Sequence, residues 1–155
     1  MSTFTGQSGI IKVALDGGSH YAVGELRSFT IEQTQDTVET TAMQAAGNSA
    51  TAVSRTYKPG LSTFTITGDV YFDGDDTNGQ AVLEGKLDEA ATGTAVEFKV
   101  FPAGIGTDDG KAFSGNAVMT SFSISSSVDG AVEASFAAQG TGALTIDDAN
   151  TIELA

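Results

Sequence analysis

Three stretches of this sequence hold residues able to do chemistry, and each lacks the partners that chemistry requires. His20, the single histidine, sits in GGSHYAVG among glycines. An imidazole that works as a base or a ligand needs an orienting carboxylate or further nitrogen or sulfur ligands. With no second histidine and no cysteine, His20 reads as a surface turn residue. DGDDTNGQ, residues 73–80, resembles a calcium loop, but the spacing D-x-[DN]-x-[DN]-G breaks at Thr77 and the glycine is misplaced. Helix capping accounts for Asp73, Asp75 and Asp76 without an ion; a weak surface cation site is the alternative. Ser114 and Ser121 lie in strand patterns without a nucleophile-elbow motif. GTGALT precedes a short strand and is not a phosphate loop. Paired carboxylates could cleave glycosides, but that chemistry usually comes with aromatic sugar platforms, and the chain has no tryptophan and three tyrosines. The chain is therefore expected not to be an enzyme, with no catalytic residue, no metal and no cofactor.

The elements around these residues are mostly strands. Phe64, Ile66, Val70 and Phe72 share one parity, opposite Thr63, Thr65, Thr67, Asp69 and Tyr71. This is a half-buried strand in which Gly68 marks a bulge or a close neighbour. Val96, Phe98 and Val100 alternate with Glu97 and Lys99, and Val118, Phe122 and Ile124 with serines. Val132, Ala134 and Phe136 alternate with Glu133 and Ser135, Phe29 and Ile31 with Ser28, Thr30 and Glu32. Ile10 to Leu15 is a shorter apolar strand. Asp129-Gly130 predicts a hairpin. A two-residue loop sets Ile124 against Ser135 and mismatches the faces, whereas a three-residue loop with Gly130 left-handed puts Phe122 opposite Phe136 and Ile124 opposite Ala134. One helix is expected over GQAVLEGKLDEAAT (79–92), capped by Asp75, Asp76 or Asn78, with Leu83, Leu87 and Ala91 on its stripe and Gly93 as its stop. Residues 41–58 show no periodicity, yet contain Met, Val and Tyr, which fits a loop that orders against something.

Composition sets the outer limits. The 155 residues suit one domain with a single core. No run approaches the roughly 18 apolar residues of a membrane helix, and MSTFTGQSG lacks the basic and apolar regions of a signal peptide. Twenty acidic against seven basic residues give a net charge of −13, the wrong sign for gripping phosphates. Such a charge serves solubility, or it repels a polyanion.

The order of elements resembles a known family. A short strand precedes LRSFTIEQTQDTVETT and a long loop; RTYKPGLSTFTITGDVYFDGDD, a helix and VEFKVFPA follow, and FSGNAVMTSFSISSSVDGAVEASFAAQGTGALT closes the pattern. Over nearly the whole chain this is similar to the tail tube (major tail) proteins of long-tailed bacteriophages and related gene transfer agents. The resemblance implies a mainly β fold, an antiparallel β-sandwich or barrel with one flanking α-helix, as a single tail-tube domain over 1–155. It implies hexameric rings stacked into a virion tail tube, assembled in the host cytoplasm, that carries DNA without binding it specifically. Implied partners are further copies of the chain, the tape measure, tail tip and terminator proteins, and a sheath where one exists; no membrane is involved. The loop at 41–58 and a C-terminal arm at 145–155 would contact the adjacent ring, with Met43, Val53, Arg55, Tyr57, Ile152 and Leu154 as candidates. Glu32, Asp36, Glu39 and Glu133 are the candidate acids of the lumen. The rival class is a surface-binding β-sandwich module for host attachment or carbohydrate, which should carry aromatic residues in its loops; here phenylalanine lies mostly in strands.

Overall fold

The computed structural model describes residues 6–15, 18–41, 55–88, 95–105 and 110–154. Seven strands, β1 (Ile10–Leu15), β2 (Tyr21–Ala22), β3 (Leu26–Glu39), β4 (Tyr57–Tyr71), β5 (Val96–Phe101), β6 (Lys111–Ser125) and β7 (Glu133–Asp148), form one sheet in the order β2-β1-β5-β6-β7-β4-β3. Every pairing is antiparallel. The chain is thus mainly β and antiparallel, as expected, and its described strands form one continuous sheet. Two short helices accompany it, α1 (Gln80–Asp88) and α2 (Ala149–Leu154).

Alternation places one parity of each strand in a common core. Phe64, Ile66 and Val70 of β4, Val96, Phe98 and Val100 of β5, and Ala134, Phe136 and Ala138 of β7 are buried together, with Leu83 of α1 among them. Burying Leu83 alone is worth about 2 kcal/mol. Glycines seat the rings. A side chain at Gly140 would overlap the Phe64 ring, one at Gly115 would come within 2.8 Å of it, and one at Gly68 within 2.6 Å of Phe136. Gly68 is therefore the close neighbour that its place in the strand suggested.

The β6–β7 register has Phe122 opposite Phe136 and Ile124 opposite Ala134, as the core faces required. The turn itself differs. The ladder closes at Ser125 and Glu133, so the loop covers 126–132. Gly130 donates its N–H to the Ser127 carbonyl at 3.3 Å and is absent from the residues with positive φ, so it is not left-handed. Val118 also departs from expectation. A register shift between Met119 and Ser121 inserts a bulge, so Ala117 and Met119 point inward and Val118 is exposed. Phe72, past the end of β4, is exposed as well.

A second, smaller core lies on the opposite face of β1, β5 and β6. There α2 covers Phe101 and Ala112 with Ala149 and Ile152, and Glu153 accepts a 2.5 Å hydrogen bond from Lys12. Lys99, expected on an open face, is buried on this side. Residues 145–148, expected as the start of a terminal arm, pair with Lys111–Ser114 at the end of β7.

Asp76 provides the cap of α1. Its carboxylate accepts from the N–H groups of Gly79 at 2.8 Å and Gln80 at 3.0 Å, and also from Gly24 at 3.0 Å, tying the helix to the turn before β3. Gln80 is buried, donating to the carbonyls of Gly24 and Tyr71 and accepting from the N–H of Asp73. The expected continuation of α1 to Thr92, with Ala91 and Gly93, and the side chain of Leu87 lie outside the described residues.

Two predictions follow from this packing. Gly140→Ala should lower the stability of the monomer by about 1–3 kcal/mol in urea unfolding, since the added methyl displaces the Phe64 ring. Gly85→Ala, in open space on α1, should raise it by up to about 1 kcal/mol. The second prediction concerns acid. Burial raises the Asp76 carboxyl, but backbone hydrogen bonds from Gln80, Gly24 and Gly79 outweigh it, and the net shift is downward. A lowered folded-state value stabilises above the unfolded value and is lost as pH falls through the folded one. Melting temperatures should therefore fall as pH drops below the ordinary aspartate value and through the lowered folded-state one, with a shallower fall in Asp76→Asn.

Candidate functional site

The parity opposite the core makes a second surface. Three rows run straight across β3, β4, β7 and β6: Glu32, Thr65, Gln139, Val118; then Thr30, Thr67, Ala137, Ser121; then Ser28, Asp69, Ser135, Ser123. Threonine suits strands because its branched side chain packs well on a pleated surface, and its hydroxyl can face water. The result is a hydroxyl-rich face with few charges.

Three of those charges, on Asp69, Arg27 and Glu133, are held in place. Asp69 accepts hydrogen bonds from Ser135 at 2.6 Å and Ser28 at 3.0 Å. The Ser135 bond chiefly, then the Ser28 bond, hold its carboxyl below the usual aspartate value. At the end of the face Arg27 occupies a bulge in β3 between Leu26 and Ser28. It donates to Glu133 and stacks over the Tyr71 ring, 4.9 Å from the centroid. The guanidinium on this face is thus neutralised by an adjacent carboxylate. The carboxylate beside the Ser135 and Ser28 hydroxyls has its pKa lowered and is a weak base, and among the described residues no group of three His, Asp or Glu could hold a metal ion.

Of the four acids singled out in the sequence, Glu32 and Glu133 sit on this face. Asp36 follows on the Glu32 side of β3 by alternation, and Glu39 falls on the other side. Sequence reasoning missed Asp69 and Arg27. The signal for Asp69 was present, since it shares parity with Thr63, Thr65 and Thr67; the signal for Arg27 was hidden by the bulge.

Beyond the rows shared with β7, β3 and β4 continue as a two-stranded arm. The β4–β7 ladder stops at Thr65 and Gln139, while β3–β4 pairing runs on to Glu39 and Tyr57. Thr40 then donates its N–H to the Thr56 carbonyl at 2.8 Å. Gln33 to Glu39 are exposed on both sides. Tyr57 and Lys58, expected in a patternless loop, therefore belong to this hairpin. Arg55 and Tyr57 are exposed at its far end; Met43 and Val53 lie outside the described residues. Ile152 is buried in the second core and offers no surface to a neighbour; the side chain of Leu154 lies outside the described set. His20 lies in its turn with its Nε2 3.4 Å from a Glu97 carboxylate oxygen. Burial, then the Lys99 ammonium, lower its pKa against the pull of Glu97.

A sheet with one hydroxyl-rich face and a projecting hairpin has close structural relatives. A chain from the tail of an empty gene transfer agent particle, refined with C6 symmetry, superposes with a TM-score of 0.69 at 25% identity, covering 94% of this chain and 99% of that one. A chain of the SPP1 tail tube matches at 0.65 and 17%, covering 96% and 81%. A chain of a sheath-tube complex from an extracellular contractile injection system matches at 0.59 and 13%, covering 89% and 88%. At the lower identities the likeness is one of fold. No curated protein matches the chain. The family described as phage tail tube protein matches residues 3–146, nearly the whole chain, and the chain belongs to that family.

Proposed function

We propose that this structural tube protein of the virion tail assembles as stacked six-membered rings, with the hydroxyl-rich face of β3, β4, β7 and β6 as the inner wall of the conduit. The observation that carries the reading is that face. Its described cation, Arg27, is tied to Glu133 and Tyr71, and the rest of it is mostly hydroxyls, with Gln139, Ala137, an exposed Val118 and the carboxylates of Glu32 and Asp69. DNA sliding past such a wall meets hydration and mild repulsion, and no unpaired positive charge to arrest its phosphates. The −13 of the whole chain is not concentrated there, so the wall is better described as weakly acidic and slippery than as strongly repelling.

Assembly also answers a problem in the single chain. β3 is a 14-residue strand at the edge of the sheet, with no strand among the described residues paired to its outer side, and such an edge invites association with another sheet. Closing protomers into a ring supplies that partner. The six-fold order is supported by the C6 symmetry of the similar gene transfer agent tail. Catalysis has no part in this role. Neighbours at the ends of the tube, such as a terminator, a cap or a baseplate, fit the assemblies in which similar folds occur.

Purified protein imaged by electron microscopy should show six-fold rings or tubes, and a preparation that stays monomeric at high concentration would contradict the reading. In phage particles, Glu32→Lys combined with Ser123→Lys should leave tubes intact but slow DNA release by on the order of tenfold at low salt, with recovery as salt rises. Release at the wild-type rate in low salt would remove this face from the lumen.

A further inference from the structure

The sequence contains one Asn-Gly pair, Asn78–Gly79, and four Asp-Gly pairs, at 16–17, 73–74, 109–110 and 129–130. At each of them a chain can rearrange without an enzyme, because glycine leaves its own nitrogen unhindered. The glycine nitrogen loses its proton and attacks the side-chain carbonyl carbon of the preceding residue, closing a five-membered succinimide. Ammonia leaves from asparagine, or water from aspartic acid, and a water molecule then reopens the ring at either carbonyl. Opening at one carbonyl gives an aspartate linkage. Opening at the other routes the backbone through the side chain as isoaspartate. Asparagine reacts faster than aspartate in an unfolded chain, so the sequence by itself points to Asn78.

The fold reverses that order. Asn78 is exposed, but Gly79 is buried, and its N–H donates to Asp76 Oδ1 at 2.8 Å. Losing that proton would set an anionic nitrogen against a carboxylate. The nitrogen is also held in place, since a Cβ at Gly79 would stand 2.6 Å from Asp76 Oδ2 and 2.7 Å from the Ala22 carbonyl oxygen. The same carboxylate accepts from Gly24 and Gln80, so Asn78–Gly79 is freed only when the cap of α1 opens. Asp73 is restrained as well, accepting from the Asp75 N–H at 3.0 Å and donating its own N–H to Gln80. Asp16, Gly17 and Asp109 lie outside the described residues. Asp129–Gly130 has no comparable restraint. Both residues are exposed, in the loop beyond the β6–β7 ladder. The Gly130 N–H reaches the Ser127 carbonyl at 3.3 Å, and a Cβ there would meet only the Ser127 Cβ, at 4.0 Å. The Asp129 carboxylate enters no ion pair among the described residues.

We propose that Asp129–Gly130 is a site of spontaneous isoaspartate formation, and that the Asp76 clamp keeps Asn78–Gly79, the faster pair by sequence, in its original form. The rearrangement at Asp129 keeps the charge and lengthens the main chain by one methylene. The loop absorbs it, because the register of β6 and β7 is fixed by core pairs such as Phe122 and Phe136 outside the loop. Deamidation of Asn78 would instead add a carboxylate to a turn that already holds Asp73, Asp75 and Asp76. The proposal concerns the free subunit and is independent of the tube reading.

Ageing the free subunit at neutral pH tests this. Samples are unfolded, digested with an endoprotease that cuts before aspartate but not before isoaspartate, and mapped by mass spectrometry. In the folded wild type, cleavage before Asp129 should be lost progressively while Asn78 keeps its amide. In protein aged in guanidinium the order should reverse, with Asn78 deamidating first. Asp76→Asn should raise the rate at Asn78 by about fivefold, the gain in open population on loss of a capping carboxylate, and leave Asp129 unaffected. Gly130→Ala, whose methyl meets open space, should slow the reaction at Asp129 at an unchanged melting temperature. Deamidation of Asn78 as fast in the folded chain as in guanidinium overturns the proposal, as does full retention of cleavage before Asp129. A wild-type rate at Asn78 in Asp76→Asn overturns the role given to the clamp.

Discussion

The Phe64 ring lies across the bare backbone of Gly140 on β7 and reaches Gly115 on β6. One side chain thereby spans three strands, and its fit fixes which residues of those strands face each other. Side chains alternate with period two, so a slip of one residue at this seat would invert every face. The core, the hydroxyl rows and the position at which the β3–β4 arm leaves the sheet all follow from that register. Interior packing at this density tolerates little change in volume, which is why glycine and not alanine occupies both seats.

The rest of the molecule handles what a single curved sheet leaves over. α2 closes a second apolar patch on the back of β1, β5 and β6, where Phe101 would otherwise meet water. Asp76 and Gln80 bind α1 to the turn before β3, so at the end of the sheet opposite the arm hydrogen bonds add to the burial of Leu83, Val23 and Val70. On the hydroxyl face Asp69 is hydrogen-bonded and Arg27 is paired with Glu133, while Glu32 is exposed. In the proposed conduit, a wall past which a polyanion moves would benefit from a weak field more than from a large one, since a strong repulsive potential would also oppose entry.

Much of this was legible in the sequence where alternation is uninterrupted. The faces of β4 and β7 and the Phe122–Phe136 register could be read because apolar and polar residues alternate there without a break. Val118 could not, since the bulge at Thr120 adds a residue that no local pattern announces. Lys99 was read as open because strand alternation alone places it opposite Val96, Phe98 and Val100, and its burial is set by contacts across the chain. Gly130 invited a left-handed turn from the Asp-Gly pair alone, but a longer loop reaches the same register without it. Glu32 and Glu133 were placed on the hydroxyl side by parity. Ile152 was read as an external contact because nothing in its neighbours shows that Phe101 and Ala112 need cover. The electrostatic pairing of Arg27 with Glu133 joins residues 106 positions apart and exists only in the fold.

The central claim is that the hydroxyl face becomes the inner wall of a tube. The chain has no cysteine, so single cysteines report cleanly. Ser123→Cys on the hydroxyl face and Glu84→Cys on the exposed side of α1 should both react, as monomers, with a maleimide joined to a polymer too bulky to enter the tube. In assembled tubes the account predicts that Glu84→Cys still reacts while Ser123→Cys is protected. Equal labelling of the two positions in intact tubes would contradict it.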